Sequence, residues 1–439
     1  MNFLSALRNA TESFFIYENT SSPTVMHKRP NRALYSTALA LGLLGGSAST
    51  PLVGVALAAA PAGAVDPCAP GQFYGDTYFP TPAFRNQANA PAITRSAAYR
   101  VETVVPVILN PRSLGFIGAG RMIVAEQPGL LRIIEPDGRM SAPLGGMPPS
   151  MPGRDGGIDI AIDPDFAKNR TLYLAYRIPT PGAVAGPGER PPGTGQIASA
   201  RLSEAGDRLE NYKVIYEGGY LRRLTVARDG TLIITTLAEG APAQKVDDVN
   251  GKVLRINKDG SIPRNNPYLG TKGAKPELYD IGHRDVDGVT IDSKGQIWTV
   301  EHGPRGGDEV NRIRPGRNYG FPVIGYGREY SGAPINNDLT AKRGMEQPVY
   351  YWHSPDIGPG GVLVYSGRMF PEWKDDIFIG ALATKRLVRL DMKNGRVTGE
   401  EHLLADRCKR IRDVREAPDG SIYVLTNQDG GGQVLRITR

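Results

Sequence analysis

The feature that most restricts how this chain can fold is a motif of aliphatic residue, arginine and aliphatic residue that returns six times. It reads Leu131-Arg132-Ile133, Ala200-Arg201-Leu202, Leu254-Arg255-Ile256, a looser Asn311-Arg312-Ile313, Val388-Arg389-Leu390 and Leu435-Arg436-Ile437. Successive arginines lie 69, 54, 57, 77 and 47 residues apart, a mean near 61. One copy is an ordinary strand end, but six in order mark a repeated supersecondary unit. Turn chemistry fills the intervals: Pro136-Asp137-Gly138, Arg228-Asp229-Gly230, Lys258-Asp259-Gly260, Ser293-Lys294-Gly295, Lys393-Asn394-Gly395 and Pro418-Asp419-Gly420. Asp-Gly and Asn-Gly supply the positive φ that tight hairpins need. The runs that follow alternate, as in Thr231-Leu232-Ile233-Ile234-Thr235 and Ser421-Ile422-Tyr423-Val424-Leu425, which is strand periodicity. Past residue 64, no window of twelve or more carries a helical period. The pattern predicts an all-β fold, a six-bladed β-propeller over residues 65–439. The six-fold spacing disfavours the alternative, a pair of large β-sandwiches. Two Gly/Pro-rich stretches, 179–195 and 327–348, read as long loops crowding one face around the central channel.

Composition removes other answers. Of 439 residues, 52 are Lys or Arg and 45 Asp or Glu, and no basic block of five occurs. The net charge of +7 is therefore surface potential, not a nucleic-acid footprint. Two cysteines, Cys68 and Cys408, exclude thiolate zinc sites and C-x-x-C redox motifs. Near the start, His27, Lys28, Arg29 and Arg32 precede the apolar stretch 33–46, and Ala62-Gly63-Ala64 closes it. That is the order of a cleaved secretory leader over residues 1–64, with Met26 a candidate start. The break from Gly45-Gly46 to Pro51 leaves no run of ~18 apolar residues, which argues against a stable membrane anchor. The expected location is periplasmic or secreted, where Cys68 and Cys408 can pair.

Histidine is scarce after the leader: His283, His302, His353 and His402. Neither H-E-x-x-H nor G-x-S-x-G occurs, so zincin and α/β-hydrolase chemistry fall away. Three segments concentrate polar groups. In the first, Arg284 is flanked by Asp285 and Asp287, which equally describes a salt-bridge cluster between blades. In the second, the turn at Gly303-Pro304 frees backbone carbonyls beside Asp308 and Glu309. Backbone oxygens with carboxylates suit a hard cation such as Ca²⁺, though a plain Gly-rich loop reads the same way. In the third, Arg410 and Arg412 share a strand face by period two. Two parallel guanidiniums there either face solvent or share an anion such as a ligand carboxylate.

Longer runs resemble one family. They are residues 121–138, 156–166, 251–268, Ile281-Gly282-His283-Arg284, 301–311 (EHGPRGGDEVN), 318–322, 370–382 and 410–426. Together they are similar to the soluble glucose/sorbosone dehydrogenases, across nearly the whole chain past the leader. The resemblance implies a six-bladed propeller that uses pyrroloquinoline quinone (PQQ) and calcium to oxidise aldose sugars. It implies that Gly303 and Pro304 hold the calcium through their carbonyls, with Asp308 beside them. Arg284 would face the quinone carbonyl that receives hydride. Arg410 and Arg412 would bind the carboxylates of PQQ. A sugar or related alcohol and an electron acceptor would be the partners.

The departures from the family pattern lie at the chemistry. The place of the catalytic histidine falls at Gly219, ahead of Leu221-Arg222-Arg223-Leu224. Ala238-Glu239 stands for the usual Gly-Asp, and Asp285-Val286-Asp287 for Asn-Pro-Gln. The expected lysine aligns with Ala383, and Lys385, two residues on, would keep its strand face. Loss of a general base costs roughly 10²–10⁴-fold, so a carboxylate must replace the histidine if the protein is a dehydrogenase. Glu239 is the first candidate, ahead of Asp287 and Asp285. Two alternatives keep the scaffold: a propeller that only binds, or a calcium-dependent hydrolase or lyase.

Overall fold

The computed structural model describes residues 78–94, 97–127, 129–147, 158–182, 192–238, 240–354, 356–428 and 431–439. The leader, Cys68 and Glu239 lie outside the described residues. Strand β1 (Arg100–Ile108) is followed by a first blade of β2 (Pro111–Gly118), β3 (Arg121–Glu126) and β4 (Leu130–Ile134). The second blade is β5 (Asp159–Ile162), β6 (Thr171–Pro179), β7 (Gly193–Leu202) and β8 (Leu209–Glu217). The third is β9 (Leu221–Val226), β10 (Thr231–Thr236) and β11 (Val253–Asn257). β12 (Asp285–Ile291), β13 (Ile297–His302), β14 (Asp308–Ile313) and β15 (Tyr350–Trp352) make the fourth. β16 (Pro359–Val364), β17 (Ile377–Ala381), β18 (Arg386–Lys393) and β19 (Arg396–Leu403) make the fifth. The sixth is β20 (Ile411–Glu416), β21 (Ile422–Thr426) and β22 (Gly432–Thr438), with β1 added outside β22.

The ring closes in two ways. β1 pairs antiparallel with β22, Arg100 opposite Thr438, so the N-terminal strand completes the last blade. The innermost strands β2, β5, β9, β12, β16 and β20 touch in that order, and β20 returns to β2. Hydrophobic clusters fill the gaps between neighbouring blades. Leu174 and Ile133 belong to the first gap, Leu232 and Ile197 to the second, and Val253 and Val289 to the third. Val300 and Ile379, Phe378 and Val424, and Val124 and Val434 continue the series round to the start. Burying such side chains stabilises by about 1.5–3 kcal/mol each, which makes blade stacking the main cohesive term. The six repeated arginines all fall on the third strand of a blade, β4, β7, β11, β14, β18 and β22. Among the described residues the one α-helical turn is Phe166–Asn169. The expected architecture stands.

Candidate active site

The channel is plugged by charge. Strands β2, β9, β12, β16 and β20 each carry a register shift against the next strand near their first residues. An extra residue there re-aims side chains. Consecutive Arg222 and Arg223, which plain alternation would send to opposite faces, are both engaged in the inter-blade network. Arg223 is 1% exposed and acts as an axle. It donates to the carbonyls of Arg112 (3.2 Å), Asp287 (2.8 Å) and Arg412 (3.0 Å), and to Asp159 Oδ1 (3.1 Å). One guanidinium on the third blade thereby ties in the first, second, fourth and sixth. The fifth contributes Gly360 and Gly361 instead. A Cβ on Gly361 would lie 2.3 Å from Asp413 Oδ1.

Around this axle sits a second layer. Arg222 Nε and Nη2 clamp Asp285 at 2.5 and 2.6 Å. Asp287 receives Arg412 at 2.7 Å and Arg112 at 3.5 Å. His302 Nε2 lies 3.6 Å from the same carboxylate. Burial alone would raise the Asp287 pKa, but Arg222, Arg412, His302 and Arg112 hold it well below the carboxylate range. Burial would lower His302, yet the contact with Asp287 and the charges of Asp285 and Asp308 raise it.

Beside the plug opens a small cavity lined by Arg284, His302, Gly303, Pro304, Phe321 and Tyr326 among others. Arg284 Nη1 donates to the carbonyls of His302 and Gly303, both at 3.2 Å. Its backbone N–H is held by Glu301 Oε2 at 2.9 Å. Glu301 also meets His283, which is fully buried, stacks on Tyr319 with centroids 4.5 Å apart, and contacts Asp280 at 3.3 Å. Burial would lower the His283 pKa, but Glu301 and Asp280 lift it to about 10. The buried His283, held between Glu301 and Asp280, thus fixes the segment that presents Arg284.

Several expectations are corrected. Arg284 does not pair with its sequence neighbours; Arg222 takes Asp285, and Asp287 serves Arg112 and Arg412. Asp287 is a clamped counterion, and its depressed pKa makes it a poor base. Arg410 donates to the Leu382 carbonyl at 3.2 Å, while Arg412 pairs with Asp287 at 2.7 Å. The bulge between Ile411 and Asp413 breaks the period-two argument there. Asp308 uses its two oxygens on the N–H groups of Gly303 (2.9 Å) and Gly358 (2.8 Å), so it positions the Gly303 loop. Lys385 sits in a turn with φ 54°, outside any strand alternation. Gly219 has φ +65°, and a Cβ there would meet Val249 Cγ2 at 2.8 Å, so a histidine at this position would be strained. Sequence reading missed Arg112, Arg222, Arg223 and His302 as members of the site.

The donor set fits both groups that the resemblance implies. Burial and the neighbouring guanidiniums of Arg112, Arg223 and Arg222 pull the Arg412 pKa down to about 9 despite Asp287. Arg112 is lowered by the same combination. Guanidiniums in that condition have too little counter-charge, which a polycarboxylate would supply. Among the described residues no cluster of three or more His, Cys, Asp or Glu side chains is formed. A cation would rest on backbone oxygens, and the Gly303-Pro304 turn offers them. A Cβ on Gly303 would lie 1.9 Å from the Gly306 carbonyl, so the turn requires glycine. Burial and Asp356 raise the adjacent Asp308 to about 7, the response of a carboxylate short of positive charge.

A six-bladed propeller with buried, ion-paired arginines on its inner strands and a Gly-Pro turn lining a cavity invites comparison with known proteins. Residues 108–436 match the Glucose / Sorbosone dehydrogenase family, and the chain belongs to that family of oxidoreductases. It is 33% identical over 363 residues to the aldose sugar dehydrogenase YliI of Escherichia coli, covering 78% of this chain and 93% of that one. Against quinoprotein glucose dehydrogenase B of Acinetobacter calcoaceticus it is 24% identical over 366 residues, covering 64% and 74%. A crystal structure of a glucose dehydrogenase superposes with TM-score 0.72 at 37% identity, covering 77% and 99%. The apo soluble aldose sugar dehydrogenase of Escherichia coli does so with TM-score 0.70 at 30% identity, covering 78% and 99%.

Proposed function

We propose that the protein is an exported, PQQ- and calcium-dependent dehydrogenase that oxidises an aldose sugar or related alcohol beside Arg284. The observation that supports this reading is the pair Arg112 and Arg412, which share the single Asp287 carboxylate, with the Gly303-Pro304 turn nearby. Arg410, Arg412 and Lys385 would hold PQQ, and Gly303 and Pro304 the cation, with Asp308 fixing their turn. Bound there, PQQ would supply a two-electron acceptor and calcium would polarise its carbonyl. The protein's own part is to orient the sugar and accept a proton. Arg284, anchored by Glu301, points its guanidinium into the cavity and can donate to a substrate oxygen. For the proton we assign Glu239, which follows β10, the strand paired with β9.

Reconstitution with PQQ and calcium, followed by dye reduction with a panel of aldoses and alcohols, tests the reading. Turnover that depends on both additions is expected. Glu239→Gln should then lose about two decades, and unchanged turnover removes Glu239. A second reading, a propeller that binds without catalysis, draws on the glycine that stands at 219 in place of a histidine; total absence of turnover would favour it. The export reading includes cleavage after Ala64 and a Cys68–Cys408 bridge. That bridge would close a loop of 340 residues, stabilising by roughly 5 kcal/mol in the chain-entropy model. N-terminal sequencing and non-reducing peptide mapping of exported protein check both. Among the described residues no helix is long and apolar enough to cross a membrane.

A further inference from the structure

A second buried cation lies outside the plug. Lys252, immediately before β11, is 0% exposed, and lysine is almost never fully buried unless paired. Its partners are not carboxylates. Nζ donates to the backbone carbonyls of Pro242 at 2.8 Å, Ala243 at 2.9 Å and Asn250 at 2.8 Å. An ammonium has three N–H donors, so the group is saturated. Burial lowers its pKa to about 8, against the opposing charges of Asp248, Asp280 and Asp247. At neutral pH it is therefore charged. An apolar side chain of the same length would leave three buried carbonyls without that donor.

The backbone that Lys252 gathers is the backbone from which the cavity wall hangs. Ala243 O accepts from Lys252 and also from Gly282 N–H at 2.9 Å. Gly251 O accepts from His283 N–H at 3.1 Å, and Ala238 N–H donates to Arg284 O at 2.7 Å. Phe321 N–H in turn donates to Gly282 O at 2.9 Å, and Gln244 Nε2 to Phe321 O at 2.7 Å. Arg284 and Phe321 both line the cavity. On the other side, Asn250 Oδ1 accepts from Tyr220 N–H at 2.7 Å, one residue past Gly219. The packing is close: a Cβ on Gly251 would lie 2.4 Å from His283 O and 2.7 Å from Ala238 Cβ. One ammonium thus joins the turn Ala241–Gln244 and Asn250, and through the shared Ala243 carbonyl it reaches the segment that presents Arg284.

We propose that Lys252 is a positioning residue, an internal cation that sets the backbone of Arg284 and Phe321 and so the shape of the cavity. That the cavity takes a substrate rests on the sugar-dehydrogenase reading; the positioning does not. Lys252→Ala leaves a space lined by carbonyls, which water or a small ammonium ion can enter. Lys252→Met fills that space and offers no donor. In the full chain without cofactor, amide exchange at Gly282 and Ala238 should quicken roughly ten- to hundredfold in Lys252→Ala, the scale of one hydrogen bond to a charged group. Leu174 and Val424, buried in other blades, should exchange as in the wild type. Propylammonium, which supplies the missing atoms, should slow Gly282 and Ala238 again. Tetramethylammonium, without an N–H, should not, and Lys252→Met should respond to neither. Where dye reduction is measurable, Lys252→Ala should lower kcat/KM, yet cost little further in an Arg284→Ala background, because its effect passes through Arg284. Unchanged exchange at Gly282 and Ala238 overturns the proposal. So does equal quickening at Leu174 and Val424, or a Lys252→Ala chain that stays unfolded with and without propylammonium, since either makes Lys252 a support of the whole fold. Local quickening reversed by propylammonium, in a protein that oxidises no aldose, would sink the dehydrogenase reading and leave the positioning standing.

Discussion

Two populations of arginine in this molecule do opposite jobs. Several on the third strands pair within their own blade near the surface: Arg132 with Glu126 at 2.9 Å, Arg255 with Asp229 at 2.6 Å, Arg436 with Asp419 at 2.6 Å; Arg389, buried with Asp376 and Glu401, is the exception. Those on the inner strands pair between blades: Arg223 with Asp159, Arg222 with Asp285, and Arg112 and Arg412 with Asp287. The outer pairs are mostly open to water on at least one side, so they fix hairpins at little electrostatic consequence. The inner groups are buried, where a lost partner leaves a charge that water cannot rescue. The contrast shows where this propeller places its risk. The blades are held by apolar contact, and the axis by charges that must all be present together.

The largest effect should come from Arg223. Arg223→Met keeps much of the side-chain volume but removes donors to three carbonyls and to Asp159. The loss should reach about 5 kcal/mol or more, since several buried acceptors are orphaned at once. Soluble yield and urea melts would read it, and a loss under about 2 kcal/mol would break the axle description. Asp287→Asn comes next, because it leaves Arg112 and Arg412 short of charge. A cost of about 3–5 kcal/mol is expected. Added polycarboxylate should restore part of the melting midpoint for this variant and little for an outer-pair variant.

His283 gives a pH-dependent version of the same comparison. Its folded pKa of about 10 lies above the unfolded value near 6.5. The stability it contributes is therefore complete below about pH 6.5 and is lost as pH rises through about 10. The advantage of the wild type over His283→Gln should be largest near pH 6 and shrink steadily toward pH 10. A gap independent of pH would show that folding leaves the His283 pKa unshifted, and one that widens as pH rises would show a neutral imidazole in the fold.

The outer population was legible in the sequence and the inner one was not, for a geometric reason. Arg255 and Asp229 belong to one blade, and the Asp-Gly turn and aliphatic–Arg–aliphatic strand that carry them repeat in the text of the chain. The six-fold period followed from the same local signals. At the axis, partners are 64 residues apart for Arg223 and Asp159, and 175 apart for Arg112 and Asp287. No period connects them. The bulges at the starts of five inner strands then shift the alternation exactly where it mattered, at Arg222-Arg223 and at Ile411 to Asp413. Arg284 and Gly303 were recoverable because one hairpin, β12 to β13, carries both. The Asp287 assignment failed because the guanidiniums that clamp it come from other blades.

The smallest effect belongs to an outer pair, and its value lies in the contrast. Arg436 and Asp419 have side chains 31% and 49% exposed, so the 2.6 Å contact is screened on both sides. Arg436→Gln should cost no more than about 1 kcal/mol, as exposed pairs generally do. Raising ionic strength from about 0.1 M to about 1 M shortens the screening length from about 10 Å to about 3 Å. That change should erase most of the difference between Arg436→Gln and the wild type. The Asp287→Asn deficit should keep most of its size under the same salt, because its partners are shielded by protein. If salt removed both deficits equally, the axis would be wet, and the distinction between the two arginine populations would fall.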